Sequence, residues 1–553
     1  MYWSVLLPSH FHIYFAEEEP ENSSGGTPMI SSRSVLTSTL AVVILANSLS
    51  QVIAYRISIK TTPILESWEG WGTSLSWWAN VFGDREDIAD VLFSNMSSVS
   101  IEGAAKDIPA LNFNIARYNI GGSGNNVIDD SGTEIAMKTS EKMSAFKAIE
   151  SFWLDWTSTD PASKSWNWDA DANQRAMLDL ASKRGANVFE AYSNSPPWWM
   201  TNNRATTGGD DGAADNLNPA YLEQFAVYLA TVVSKAKSNW GVEFKYVAPF
   251  NEANSKAWAF PESQEACHLG VKTQSDILKV LRTQLDKLNL QNVLIAGAEE
   301  KNPEEALHVV VQMTQSEYPG IDAIAKVNAH CSDGVAPYAG DDRDKLKGMV
   351  SSLTKRPSLW DSMYADEDAS GLTMADAIAR DINEMGASAF VYKQALDSGV
   401  LGLIQSNPGD NWIGSANPKH YVMAHYSRHI HAGMSILKFD DPNTLLPGSS
   451  SYALDKYPNF VVAYDENTQV MVIVATNFGD AQTVTFDLSA LEYVDGPINT
   501  WTTEPNSTTG AVYKTSSIDI LFGQSARFSA DLLAQSITTL EILGAELTNT
   551  VTV

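Results

Sequence analysis

The chain has 553 residues, 44% of them hydrophobic and 19% charged, a balance that supports a large buried core and excludes a disordered polymer. Its 66 acidic residues against 37 basic ones give a formal net charge of −29, which repels phosphate backbones and anionic membrane surfaces. No nucleic-acid or membrane partner is expected, and the length predicts one large catalytic-sized domain with a smaller companion.

Residues 1–54 read as an upstream extension followed by a signal peptide over 29–54. Arg33 precedes the apolar run Leu40 to Ala46, and Val52-Ile53-Ala54 is small enough at both positions that signal peptidase reads. A secreted product is expected. Asn47, Ser48, Ser50 and Gln51 interrupt a run already too short to span a bilayer. Residues before Met29, with Glu17, Glu18 and Glu19, are out of place ahead of a signal and read as translation from an upstream start codon. Cys267 and Cys331 are the two cysteines; they pair or are both buried thiols, and neither sits in a metal-spacing pattern. Asn95-Met96-Ser97 and Asn506-Ser507-Thr508 are glycosylation sequons, consistent with secretion.

Residues 55–67 are expected to supply the first strand or strands of a β-sandwich completed by 432–553. Between them, over 68–431, apolar runs alternate with longer amphipathic stretches, the pattern of repeated βα units. Predicted strands are 113–118, 187–192, 246–250, 293–297, 325–330 and 389–392. One intervening helix is announced by Asn218 as N-cap with Pro219 in its first turn, and stops near Gly241. Seven or eight such units predict an α/β fold, a (β/α)8 barrel. After 431 the texture changes to short alternating strands such as Phe460–Tyr464, Val470–Val474 and Ser536–Ile542.

In such barrels functional groups collect at the carboxyl ends of strands. The polar clusters Glu69-Gly70-Trp71-Gly72, Arg117 to Gly122, Ser193 to Met200, Asn251-Glu252 and His330 are all read as falling at such ends. Taken alone, each tryptophan has packing as its bland alternative, and a single histidine a satisfied polar role.

Several strings carry a resemblance. Trp68-Glu69-Gly70-Trp71-Gly72-Thr73-Ser74-Leu75, Arg117-Tyr118-Asn119-Ile120-Gly121-Gly122, Asn194-Ser195-Pro196-Pro197-Trp198-Trp199-Met200, Pro249-Phe250-Asn251-Glu252, Gln264-Glu265-Ala266-Cys267 and Asn417-Pro418-Lys419-His420-Tyr421 resemble family-30 glycoside hydrolases of clan A, nearest their fungal endo-β-1,6-galactanase branch. The likeness runs from about residue 60 to the end. It implies a secreted retaining hydrolase without cofactor or metal, acting on β-linked galactan such as arabinogalactan side chains, and a monomer is expected. Carried over by residue, Glu252 is the acid/base, which must be protonated when substrate arrives. Asn251 meets the sugar 2-hydroxyl, Arg117 orients the opposite carboxylate, Trp71 and Trp199 are sugar platforms, and Asn194, His330 and Tyr364 line the pocket.

Two positions depart from the family. Its Leu-Trp-x-Ser-Glu-Tyr is here Leu359-Trp360-Asp361-Ser362-Met363-Tyr364, and its Tyr-Trp-Gln is Tyr392-Lys393-Gln394. A thioether cannot attack the anomeric carbon or balance oxocarbenium charge, so the nucleophile position is substituted by Met363. Alternation along a strand turns Asp361 to the same side as Met363, which makes Asp361 the candidate rescue carboxylate. Lys393 places a cation where an aromatic wall is expected. The functional expectation is a secreted galactanase-like hydrolase with doubtful activity; the alternatives are a silent glycan-binding relative and a structural or adhesive secreted protein.

Overall fold

The structure, a computed structural model, describes residues 55–129, 131–315, 317–331, 341–441, 457–494, 497–519 and 527–547. The expected signal segment, 29–54, lies outside the described residues. Strand β1 (Tyr55–Leu65) belongs to a side sheet. The next eight long strands are β2 (Gly70–Ser74), β3 (Ile115–Asn119), β4 (Val188–Tyr192), β5 (Tyr246–Ala248), β6 (Leu294–Glu300), β7 (Ile324–Ala329), β8 (Ser358–Tyr364) and β9 (Ala389–Tyr392). They pair in parallel in chain order, and β9 closes on β2, so the (β/α)8 barrel expected from the alternating pattern is present.

The helices wrapping the barrel follow their sequence signals. Asn218 accepts from the Ala220 backbone N–H at 3.0 Å, Pro219 opens a short 3₁₀ turn, and the helix Leu222–Lys235 buries Phe225, Ala226 and Leu229 against the barrel. Gly241, at φ +71°, ends it after a final turn over Ala236–Trp240, because only a residue without Cβ adopts that backbone cheaply.

Inside the barrel the side chains form layers. Ile115, Tyr246, Trp360, Ala389 and Val391 make an apolar one. Below it, at the amino-terminal mouth, Glu69 accepts from Trp360 Nε1 (3.0 Å), Tyr246 Oη (2.7 Å), Ser388 Oγ (2.8 Å) and Lys245 Nζ (2.8 Å). Burial pushes the Glu69 carboxyl up, but these donors and the Lys245 charge outweigh it and hold it at about 2. The cluster around Glu69 therefore plugs the bottom of the barrel; the expected rim position is corrected, because β2 starts at Gly70 and Glu69 precedes its strand.

Among the described residues the side sheet has nine strands, in the order Lys514–Ile518, Ile498–Thr503, Ser536–Ile542, Val470–Asn477, Asn459–Asp465, Ser435–Asp440, β1, Gln482–Asp487 and Arg527–Leu532. Strands from its middle and its end share one core, in which Phe486 stacks on Phe528 at 4.9 Å and meets Phe460 edge-on at 5.9 Å. The sheet thus folds over itself. Against the barrel it is held by buried His425 of the helix Pro418–Ser427, whose ring nitrogens lie 2.9 Å from Thr539 Oγ1 and 2.8 Å from Thr503 Oγ1.

Candidate active site

A cavity of about 150 Å³ opens at the carboxyl ends of the barrel strands. Ser74, Ser76, Trp77, Tyr192, Asn194, Asn251, Glu252, Trp258, Gln264, Met363 and Lys393 line it. Glu252 stands four residues beyond β5 with φ +47°, an uncommon backbone for a residue with a Cβ. Its own amide donates to Glu299 O at 2.6 Å and its carbonyl accepts from Trp258 Nε1 at 2.8 Å, which fixes that conformation. Asn251 is buried beside it, and among the described residues its Oδ1 has no donor, leaving an acceptor for a ligand hydroxyl.

His330 follows β7 and lies between two carboxylates, with Nδ1 3.0 Å from Glu252 Oε1 and Nε2 3.0 Å from Glu299 Oε1. Burial alone would depress the imidazole, but hydrogen bonds to and charges on both glutamates raise its pKa above the usual value, so the ring donates from both nitrogens as a cation. Glu252 responds in the opposite sense. Burial pushes its carboxyl up, and the His330 hydrogen bond with the charges of His330, Lys393 and Lys301 more than reverses this, leaving it below the ordinary carboxylate range. The proton that an acid/base must carry is thus disfavoured at Glu252 by the cations that face it.

Beneath the cavity lies a fully buried charged layer. Arg117 donates from Nε to Glu190 Oε1 (2.7 Å), from Nη2 to Glu299 Oε1 (2.7 Å) and from Nη1 to Ser362 O (2.8 Å). Lys326 pairs with Glu190, and Asn328 Nδ2 bridges Glu190 (3.0 Å) and Glu299. Arg117, Lys326 and His330 thus balance Glu190, Glu299 and Glu252, three charges of each sign. Arg117 pairs with these two glutamates and with no carboxylate at position 363.

Met363 lines the cavity and packs against Tyr192, Ala248 and Ala296. Asp361 does not share its side. Asp361 is opposite Phe390 and Tyr364 opposite Tyr392, three residues of β8 against two of β9, so a bulge breaks the alternation. Ser362 turns inward, its Oγ donating to Glu299 at 2.8 Å, while Asp361 turns outward into a buried group with Cys331 and Asp381. Burial, then the Asp381 charge, pushes the Asp361 carboxyl well up, and Arg343 Nε holds Asp381 at 2.6 Å. Asp361 lies outside the cavity, which corrects its reading as a rescue carboxylate. Cys267 and Cys331 are both free and buried.

Three more expected residues lie elsewhere. Trp71 is buried outside the barrel wall, its Nε1 donating to Ile430 O at 2.7 Å, because alternation along β2 turns Gly70, Gly72 and Ser74 inward. Trp199 is enclosed by Trp153 and Tyr221 at 5.3 and 5.2 Å, and Tyr364 donates to Asp366 Oδ2 at 2.6 Å, away from the opening. Asn194, Asn251, Glu252, Met363 and Lys393 do converge. The aromatic residues that line the cavity are Trp77, Tyr192 and Trp258, which the sequence reading missed. For Trp77 a signal existed: it sits three residues beyond the end of β2, where a rim residue belongs. Among the described residues, Glu252 is the sole carboxylate of the lining.

Residues 54–313 match the family model described as O-Glycosyl hydrolase family 30. The chain is 36% identical over 495 residues to an endo-β-1,6-galactanase of Hypocrea rufa, covering 89% of this chain and 95% of that protein. The barrel and side sheet are similar to the crystal structure of a conserved exported protein from Bacteroides fragilis (TM-score 0.69, 18% identity, 88% of this chain and 99% of that one). They are also similar to the catalytic domain of GH30 xylanase C from Talaromyces cellulolyticus (TM-score 0.63, 17% identity, 88% and 99%).

Proposed function

The chain belongs to O-glycosyl hydrolase family 30, and from that premise we propose that it is a secreted protein that binds β-1,6-linked galactan in its barrel cavity while its hydrolytic step is dormant. The observation that carries this reading is the pairing of a single lining carboxylate, Glu252, with the thioether of Met363. A retaining glycosidase needs two carboxyl groups about 5–5.5 Å apart, one to donate a proton and one to form the glycosyl-enzyme. Here position 363 has no anionic oxygen, and the His330 hydrogen bond with the charges of His330 and Lys393 lowers the Glu252 carboxyl, which disfavours its protonated form.

Binding capacity remains. Asn251 Oδ1, with Asn194 and Gln264, offers hydrogen-bonding groups to sugar hydroxyls, and Trp77 and Trp258 offer apolar faces to the C–H side of a pyranose. The choice of β-1,6-galactan rests on the Hypocrea rufa relative, an endo-β-1,6-galactanase. Secretion rests on the 29–54 pattern and on the exposed sequon residues Asn95 and Asn506. Titration of the purified chain with β-1,6-galactooligosaccharides, beside a reducing-sugar assay on β-1,6-galactan and fractionation of an expressing culture, tests all three parts. Saturable binding with no sugar release, and protein in the medium, is the expected result. Sugar release at the rate of an active galactanase would refute the dormancy.

A further inference from the structure

We propose that Lys393, beside Met363, makes this cavity a seat for an oxyanion, either the carboxylate of an acidic sugar or a small free anion, so that the ligand supplies the negative charge that the chain has lost. The inference rests on the cavity being the glycan site and goes beyond it in naming the charge of what is bound.

The two residues are neighbours. The Lys393 amide donates to Tyr364 O at 2.8 Å, and Tyr364 pairs with Tyr392 in the β8–β9 ladder, so positions 363 and 393 flank each other at the strand tops. Both line the same cavity of about 150 Å³. The charged layer below is already balanced, three cations against three anions, and Lys393 is outside that count. Among the described residues no ion pair or side-chain hydrogen bond involves its ammonium, and the residue is half-buried.

A second cation reinforces it. Lys147 Nζ lies 4.6 Å from the centre of the Trp77 ring, itself part of the lining. Burial first, then repulsion from Lys393, lowers the Lys147 pKa, so the two ammonium groups feel one another. Asp397 is the carboxylate whose charge reaches both, but it forms an ion pair with neither. Its Oδ2 accepts from Gln394 Nε2 at 3.0 Å and its Oδ1 from the Ser398 amide at 2.7 Å. The Glu252 carboxylate is engaged by His330. A cation with no direct ion-pair partner among the described residues, at a cavity in a chain of net charge −29, attracts an anion to itself and not to the acidic surface around it.

The test is isothermal titration of the full chain with glucuronate, inorganic phosphate and galactose, repeated on Lys393→Met and Met363→Glu. At least one of the two anions is expected to bind the wild type, and to bind both variants at least tenfold more weakly. The first variant removes the cation; the second gives it an internal counterion. Binding of glucuronate without competition from phosphate assigns the seat to an acidic sugar, and the converse to a free anion. If neither anion binds the wild type, or if Lys393→Met binds with undiminished affinity, the proposal is overturned. Neutral β-1,6-galactooligosaccharides give the control: their binding to wild type and Lys393→Met preserves the glycan reading even where the anion seat fails.

Discussion

Restoring a carboxylate at position 363 is predicted to awaken hydrolysis, and the size of the effect can be worked from the site. In Met363→Glu the new side chain faces Glu252 across a cavity in which the sugar-contacting residues are unchanged. At the separation of a retaining pair, about 5 Å, two like charges with an effective dielectric near 20 interact by about 3 kcal/mol, or roughly two pK units. The sign follows from which form is penalised. The Glu252 carboxyl now lies below its ordinary range because burial is outweighed by His330 and Lys393. An anion at 363 disfavours its charged form and neutralises Lys393, so Glu252 moves up into the range where it donates a proton. The same substitution supplies the attacking oxygen. Restoring both halves of a two-step displacement should raise sugar release from β-1,6-galactan by at least about 10³-fold over the wild type. The assay is reducing-sugar release across pH, with a bell-shaped profile in the variant and a flat background in the wild type. A folded Met363→Glu protein that binds the oligosaccharide and releases nothing would refute the reasoning, as would a wild type that cleaves equally fast.

Glu252→Gln should change stability in a defined pH window. The raised His330 contributes stability that is full below its unfolded pKa near 6.5 and is lost as pH rises, whereas the lowered Glu252 contributes stability that is full above about 4.3 and is lost as pH falls. The wild-type advantage in denaturant midpoint is therefore greatest between about pH 4.3 and 6.5 and shrinks on both sides. Asp361→Asn should leave oligosaccharide binding unchanged, because Asp361 faces Cys331 and Asp381. Its raised pKa means the folded state loses stability as pH climbs above about 3.9, so the variant should be at least as stable as wild type at pH 7 by urea unfolding. A tenfold loss of binding would place that side chain in the cavity after all. Trp77→Ala should weaken oligosaccharide binding by about 1 kcal/mol or more in a titration, whereas unchanged affinity would remove Trp77 as a platform.

The barrel and its helix between Asn218 and Gly241 are legible because they depend on local pattern, strand runs and caps; positions 252 and 363, singled out through the family resemblance, both line the cavity. What was not legible depended on register and partners. Asp361 was placed in the cavity by strict alternation, and a bulge in β8 that no composition signal marks sends it outward. Trp71, a platform by resemblance, lies outside the barrel because only the inward parity of β2 reaches the interior, whereas Trp77 beyond that strand lines the cavity. Arg117 was read through the missing nucleophile, whereas its guanidinium is already spent on Glu190 and Glu299, residues whose side chains meet it from strands far apart in the sequence.

The two departures from the family act on one quantity. Losing a carboxylate at 363 removes an anion that would raise the Glu252 pKa, and gaining Lys393 adds a cation that lowers it, so both push the would-be acid toward its carboxylate form. Neither change damages the layer beneath, where Arg117, Lys326 and His330 still match Glu190, Glu299 and Glu252. Random loss of function in a buried charged core would be expected to unbalance that layer, because a single unpaired buried charge costs several kcal/mol. The substitutions fall instead on the cavity wall, where charge can be changed at little cost to folding and is felt by a ligand.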